Sequence, residues 1–363
     1  MQIKMKNARE KLAYIVKKLY LCSRNMKAQI LTYNQINRQQ WSELVRTSET
    51  GTWFQSPEAY DFYASLSELM EPFVYGVEGE GKLRAVCVGY ITKERNPIKQ
   101  FFTRRAIIIG GPVLANDCLN EEVKLLLSSL HHSIISSFHP APIYIEMRNF
   151  NDFSSWKEAF EAAGFAYMPH LNFHVDCTDR EAMWTGLSET RKRQIHKAQK
   201  NGVVIEEAQT EQEVVDWYAI LLDLYRRKVK TPLFPLSFFL AFFRQKRGIY
   251  LLIKTEGKVI GGIMCPIKEE QCIYEWFVCG MDSSYKSLSP SVMATWAAME
   301  YAHTHHLARF DIMGAGEPGV PYGVRDFKAE FGGKLVEHGR FLCVCKPMLY
   351  RIGKWGVKFL KRK

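Results

Sequence analysis

Two segments of this chain read as copies of one strand-turn-strand hairpin, and that duplication constrains the fold more than any other feature. Phe73–Tyr90 (FVYGVEGEGKLRAVCVGY) and Gly248–Ile267 (GIYLLIKTEGKVIGGIMCPI) each run an apolar stretch into a Glu-Gly-Lys turn, Glu80-Gly81-Lys82 and Glu256-Gly257-Lys258, and leave it on a second apolar stretch. The offset is 176 residues, close to half of the 363 in the chain. The surroundings repeat as well. An aromatic helical segment precedes each hairpin (Ser56–Leu69 and Leu236–Arg244), and a long helical segment (Asn120–Ser137 and Pro290–His306) and a short strand (Ile143–Met147 and Arg309–Met313) follow. Each half is therefore expected to be a mixed α/β unit in which antiparallel hairpins feed a helix and a further strand. The strand-like Leu171–Val175 places the boundary near Asp176–Asp179, giving domains at 29–178 and 179–345. A helix from about Glu181 toward Lys200, capped by Asn201-Gly202, opens the second.

The net charge of +11 sits at the ends. Residues 1–28 and 346–363 each carry +7, which leaves −3 for the body. Both ends also place apolar residues at helical spacing, Leu12, Ile15, Val16 and Leu19 in one, Ile352, Trp355 and Phe359 in the other. Such basic amphipathic tails can lie on an anionic membrane surface; packing of one tail on the body, or a start of translation at Met26, accounts for the same pattern. No apolar stretch reaches the roughly 18 residues that would span a bilayer, and Lys17-Lys18 interrupt the run Ala13–Val16 before it forms a leader core. The chain is expected to stay in the cytoplasm, peripheral at most to the inner membrane face.

Nine cysteines, with no CxxC pair, read as reduced core residues; Cys343 and Cys345 would share one face of a strand. His131-His132 and His303, His305 and His306 read as solvated helix histidines, because no cysteine or carboxylate stands beside them at ligand spacing. No metal is expected. Nor does the sequence offer a G-x-S-x-G nucleophile, and Cys279 lies in a core-like strand.

Three stretches can carry chemistry. In ETRKRQIHKAQKNGV, from Glu189, residues Arg193, Lys197 and Lys200 stack on one helix face, a stripe suited to phosphates; a solvated face accounts for it equally. A second basic cluster, Arg226, Arg227, Lys228 and Lys230, follows Tyr225. On the strand near residue 275, Tyr274 and Trp276 could line a pocket or belong to the core. Finally, Phe310-Asp311-Ile312-Met313-Gly314-Ala315-Gly316 is a strand delivering Asp311 to a Gly-rich loop, where it could orient or deprotonate an amine. Lys328, in Asp326-Phe327-Lys328-Ala329-Glu330-Phe331-Gly332-Gly333, presents a cation that could stabilise an acyl-transfer oxyanion.

The string DFKAEFGGKLVEHGRF resembles the FKxxFGG element of Fem-type peptidoglycan aminoacyltransferases. TWFQSPEAYDF from Thr52, the Gly110-Gly111-Pro112 turn and LSETRKRQIHKAQKNGV from Leu187 agree with that family, so the resemblance covers about residues 30–347. It implies two tandem GNAT-like domains, mixed sheets flanked by helices, and transfer of an amino acid from aminoacyl-tRNA to an amine of a nucleotide- or lipid-linked peptidoglycan precursor, without coenzyme A. It also implies that Lys328 and Phe327 lie where the donor RNA end and the reaction centre meet, and that Arg191, Arg193 and Lys197 face substrate phosphates; Arg226 and Arg227, by their charge, are candidates for the RNA donor. One departure stands out: family members that bind a nucleotide-linked muropeptide carry a lysine several residues after the Gln-Ser of the first helix, whereas Gln55-Ser56 is followed by PEAYDFYASL. Coenzyme A is disfavoured independently, because Tyr285–Pro290 before the helix holds no glycine that would let backbone N–H groups cradle a pyrophosphate. Two alternatives remain open at this stage: acylation of an exopolysaccharide or lipid-linked sugar, and a non-catalytic RNA- or membrane-binding module of the same fold.

Overall fold

The computed structural model describes residues 28–360. Its first seven strands are β1 (Ala28–Thr32), β2 (Met70–Gly79), β3 (Lys82–Thr92), β4 (Ala106–Gly110), β5 (Val113–Leu114), β6 (Tyr144–Asn149) and β7 (Ala166–Met168). The next eight are β8 (Leu171–Asp176), β9 (Val204–Glu207), β10 (Gly248–Thr255), β11 (Lys258–Lys268), β12 (Cys272–Tyr274), β13 (Phe277–Gly280), β14 (Arg309–Asp311) and β15 (Lys334–Glu337), and β16 is Arg340–Val344. They form two mixed sheets of eight strands. One runs β1-β2-β3-β4-β6-β16-β7 with β5 beside β3; the other runs β15-β8-β14-β12-β11-β10-β9 with β13 beside β11.

The two hairpins form as expected, β2–β3 and β10–β11. Their turns match in detail. Glu80 and Gly81 have φ of 53° and 76°, Glu256 and Gly257 of 49° and 74°, the left-handed pair that a two-residue hairpin turn requires. Each pair also shifts register just before the turn, at Val77/Glu78 and at Ile253/Lys254. The helix Asn120–Ser137 buries Val123, Leu126, Leu127, Leu130 and Ile134 against the first sheet, and Pro290–Thr304 buries Met293, Trp296 and Met299 against the second. After each helix the chain returns in parallel, β6 beside β4 and β14 beside β12.

The domain limits differ from those expected. One compact unit takes the described chain up to Tyr63, Ser67–Met168 and the chain from Arg340 on; the other takes Ala64–Leu66 and Pro169–Gly339. Strand β8, expected to close the first domain, has both edges paired in the second sheet, with β14 and β15. Strand β16, expected in the second, lies between β6 and β7. Backbone pairing across some 140 to 200 residues decides both memberships, and apolar alternation, identical for either sheet, does not reveal it.

In both units the strand after the hairpin is interrupted. Gly110-Gly111-Pro112 separates β4 from β5, and Glu275-Trp276 separates β12 from β13. In the first unit the fully buried Gln55 bridges β3 and β4 beside the gap, its Nε2 donating to Val88 O and Ile109 O at 2.8 Å each while its Oε1 accepts from Val88 N at 2.7 Å. At the C-terminus a helix spans Pro347–Leu360, with Met348, Ile352 and Trp355 exposed. The basic segment holding Leu12, Ile15, Val16 and Leu19 lies outside the described residues, as does the side chain of Phe359.

Candidate active site

The second unit's interruption is where charge gathers. Parallel pairing of β12 with β14 ends at Tyr274↔Asp311; beyond it Glu275 N donates to Asp311 O at 2.9 Å and Trp276 N to Met264 O at 3.1 Å, so the two residues of the break turn toward opposite neighbours. Asp311 is completely buried. Its Oδ1 accepts from Asn172 Nδ2 at 2.8 Å and Met313 N at 2.9 Å, and its Oδ2 lies 3.2 Å from His174 Nε2. Burial pushes this carboxyl up, but the hydrogen bond and charge of His174, with Arg309 and Asn172, outweigh it and leave the group below the ordinary carboxylate value. A completely buried, low-pKa carboxylate whose Oδ1 accepts two hydrogen bonds and whose Oδ2 faces His174 does not reach an amine itself. What it can do is hold His174, whose side chain is 13% exposed, in one orientation. His338 lies alongside, ring centroids 5.3 Å apart.

Asn172 and His174 stand two apart on β8, between the core residues Phe173 and Val175. Taken from the residues alone, this stretch is simply a strand. Its signal was a pair of polar residues at i and i+2 on an otherwise hydrophobic strand, but the partner carboxylate is 137 residues further on.

Lys328 is also buried, at 7% exposure. Its Nζ donates to Ile312 O at 2.5 Å, to Met313 O and to Gly314 O at 3.3 Å, and lies 3.2 Å from Glu275 Oε1. Burial raises the Glu275 carboxyl above its ordinary value despite Lys328 and a hydrogen bond from Thr295. The expected free cation is thus a pin: it holds the chain just after β14 in a turn where Met313 and Gly314 have φ of 48° and 35°, a conformation costly for methionine unless its surroundings impose it. Arg325 fixes the rest of the Gly-rich loop by donating to Ala315 O, Val320 O and Glu317 O at 2.8, 3.0 and 2.5 Å.

The structure brings together the two stretches that begin at Leu187 and end at Gly333. Ser188 caps the helix Glu189–Lys200 by accepting from Arg191 N, and its hydroxyl donates to Glu330 Oε2. Arg191 lies with its guanidinium 4.4 Å from the Phe327 ring centroid and 5.4 Å from that of Phe331, its Nε 3.2 Å from Glu330. Burial lowers its pKa. Gly332, at φ 78°, backs onto Gly186, where an added Cβ would come within 2.5 Å of the carbonyl oxygen. Arg191 and Phe327 therefore staple two helices through the buried face that Arg191 shares with Ile195 and Ala198, while Arg193, Lys197 and Lys200 are exposed on the rest of the helix. Arg226 and Arg227 are exposed on the turn Tyr225–Val229, Arg227 paired with Asp223 at 2.7 Å. Tyr274 is fully buried, and the half-buried Trp276 packs on Phe238 and Phe242 at 5.2 and 6.0 Å.

The N-terminus of Pro290–Thr304 is occupied by a carboxylate of the chain itself. Ser291 N donates to Asp282 Oδ1 at 3.1 Å and Ser291 Oγ to Oδ2 at 2.5 Å. An acidic cap satisfies the backbone donors and the helix dipole that would otherwise attract an anion.

Comparison with known proteins places this geometry. Residues 188–328 match the acetyltransferase (GNAT) domain family. FemX is structurally similar, with a TM-score of 0.68 at 13% identity over 89% of this chain and 99% of that one. L-PGS from Bacillus licheniformis aligns at 0.54 and 11% over 90% and 97% of the two chains, and a tandem GNAT protein from the clavulanic acid biosynthesis pathway at 0.54 and 10% over 87% and 98%. No curated protein matches the sequence significantly. The chain has a tandem GNAT-like fold similar to that of FemX, and the match to the GNAT domain falls in the second unit.

Proposed function

Starting from a Fem-like tandem GNAT fold, we propose that the protein is an N-acyltransferase that moves an aminoacyl group from aminoacyl-tRNA to an amine of a peptidoglycan precursor. The observation that carries this reading is the partly exposed imidazole of His174 held by the buried Asp311 beside the pinned loop. Transfer to an amine requires that its proton be taken as the acyl carbon is attacked, and an oriented imidazole does this without a covalent intermediate. Direct attack needs no Ser or Cys nucleophile.

The donor side is supported by two features. Asp282 fills the helix N-terminus that a coenzyme A pyrophosphate would use, so an acyl donor without that pyrophosphate suits the site better. Arg193, Lys197 and Lys200 on one face, with Arg226 nearby in sequence on the next helical element, present cations for a polyanion such as the tRNA acceptor end.

On the acceptor side the first unit favours a lipid-linked precursor over a nucleotide-linked one. Ile98, Phe101 and Phe102 are exposed on the helix Pro97–Thr103, and Lys346 Nζ lies 5.4 Å from the Phe101 ring, joining this helix to the start of the C-terminal one. Met348, Ile352 and Trp355 are exposed on that C-terminal helix beside Arg351 and Lys354, and apolar side chains set among cations have the composition of a membrane-surface contact. Gln55, in the stretch where a nucleotide-linked acceptor would look for its lysine, is consumed as the bridge between β3 and β4.

The experiment is transfer of label from a pool of radiolabelled aminoacyl-tRNAs to purified nucleotide-linked and lipid-linked precursors, run beside labelled acetyl-coenzyme A. Label reaching the lipid-linked acceptor from tRNA is expected. Label from acetyl-coenzyme A alone would replace the reading with acylation of a sugar carrier, and salt-sensitive tRNA binding with no transfer would replace it with a binding role.

A further inference from the structure

The first unit gathers three soft donor atoms that the sequence had kept apart. The helix Asn120–Ser137 carries His131 against β16, where its Nε2 lies 3.4 Å from Cys343 Sγ. With Cys345 Sγ the three donor atoms all lie within 4.8 Å of one another. Cys343 and Cys345, two apart on extended backbone, point to the same side. Cys343 is buried while Cys345 and His131 are half-buried, so the group is closed behind and reachable in front. Gly164 sits beside Cys343, and a Cβ added there would find the sulfur 4.0 Å away and no nearer atom; that side is open.

The 3.4 Å between His131 Nε2 and Cys343 Sγ suits a small tetrahedral ion, and the third donor lies within 4.8 Å of both. Bonds of about 2.3 Å to sulfur and about 2.0 Å to nitrogen place such donors roughly 3.5 Å apart for S···N and roughly 3.8 Å for S···S. Two thiolates and one imidazole form a borderline-soft set that selects zinc over magnesium or calcium. A site built by chance from surface acids would have neither the sulfur nor the burial.

We propose that His131, Cys343 and Cys345 form a zinc-binding site with three protein ligands and a fourth position for water or another small ligand. Binding makes two metal–sulfur bonds and one metal–nitrogen bond, releases the two thiol protons to solvent and leaves every oxidation state unchanged. It would fasten β16, which reaches this sheet late in the chain, to a helix some 212 residues earlier.

The test uses the full chain, stripped with chelator under reduction, its free thiols counted before use, and titrated with cobalt(II) as a spectroscopic stand-in. Saturation at one cobalt per chain is expected, with thiolate-to-metal charge-transfer absorption in the near ultraviolet and the strong visible bands of a four-coordinate ion; zinc should displace it and raise the Tm of the stripped protein. Cys345→Ser and His131→Ala, both at half-buried positions, should lose the charge-transfer band or weaken cobalt binding at least tenfold while retaining the parent circular dichroism. A fully reduced, folded chain that takes up no cobalt overturns the site. So does a band unchanged in Cys345→Ser and in Cys343→Ser.

Discussion

In the first unit, beside the break between β4 and β5, a neutral amide, Gln55, bridges β3 and β4 by satisfying Val88 and Ile109. In the second the corresponding break carries Glu275, buried against Lys328, and at the last residue of the parallel pairing stands Asp311 with its imidazole partner His174. The hairpins, their left-handed turns and even their register shifts are alike. Burying an amide with its partners costs little, whereas burying charge costs several kcal/mol unless every group is paired. The first unit's break is therefore read as a repair of the sheet, and the second unit's as a candidate site.

Breaking the second unit's chemistry should have the largest effect. His174→Gln is expected to slow acyl transfer about 10²- to 10⁴-fold, the range of a lost general base, with an unchanged melting curve; a rate equal to that of the parent would remove His174 from the mechanism. Next comes the pin. Lys328→Ala leaves Glu275 buried and uncompensated, and should cost roughly 3–5 kcal/mol in denaturant unfolding. Lys328→Met with Glu275→Gln should recover part of that stability, which separates the loss of the ion pair from any loss of transfer measured in the same proteins.

The first unit's bridge is worth less. Gln55→Leu strands the Val88 and Ile109 backbone groups and is expected to cost about 1–3 kcal/mol. If it cost as much as Lys328→Ala, the distinction between neutral repair and charged site would fail.

The smallest effect is on pH. The Asp311 carboxyl is held below its unfolded value of about 3.9, so its contribution is fully present above that value and is lost as pH falls through the lower folded one. Asp311→Asn should accordingly flatten the acid limb of stability below about pH 4. Glu275, raised by burial, runs the other way: its contribution is present below the unfolded value and lost as pH rises through the folded one. Acid titrations of Asp311→Asn and Glu275→Gln that shift in the same direction would contradict this assignment.

Much of this was legible in the residues. Period-two alternation and the Glu-Gly-Lys turns fixed the two hairpins and their duplication, because strand pattern and turn chemistry are local. The Leu187 and Asp326 stretches, singled out in the sequence, are brought together by the fold, and Asp311 and Lys328 are buried. A sequence shows that a side chain is charged and not whether it is buried. Lys328 read as a free cation and proved to be enclosed by three carbonyls and Glu275, while Arg191 read as a phosphate ligand and proved to be folded over Phe327.

By itself, then, the sequence determined the repeated α/β plan, the turns that build it and the concentration of charge at the tails and along Glu189–Lys200, since each follows from neighbours within a few residues. Only the tertiary structure decided that β8 and β16 join the sheets they do, that His174 is the partner of Asp311, and that His131 meets Cys343 and Cys345. Those pairings link residues more than 100 positions apart, and they are set by which strand edges find hydrogen-bond partners and which charges find compensation once water is excluded.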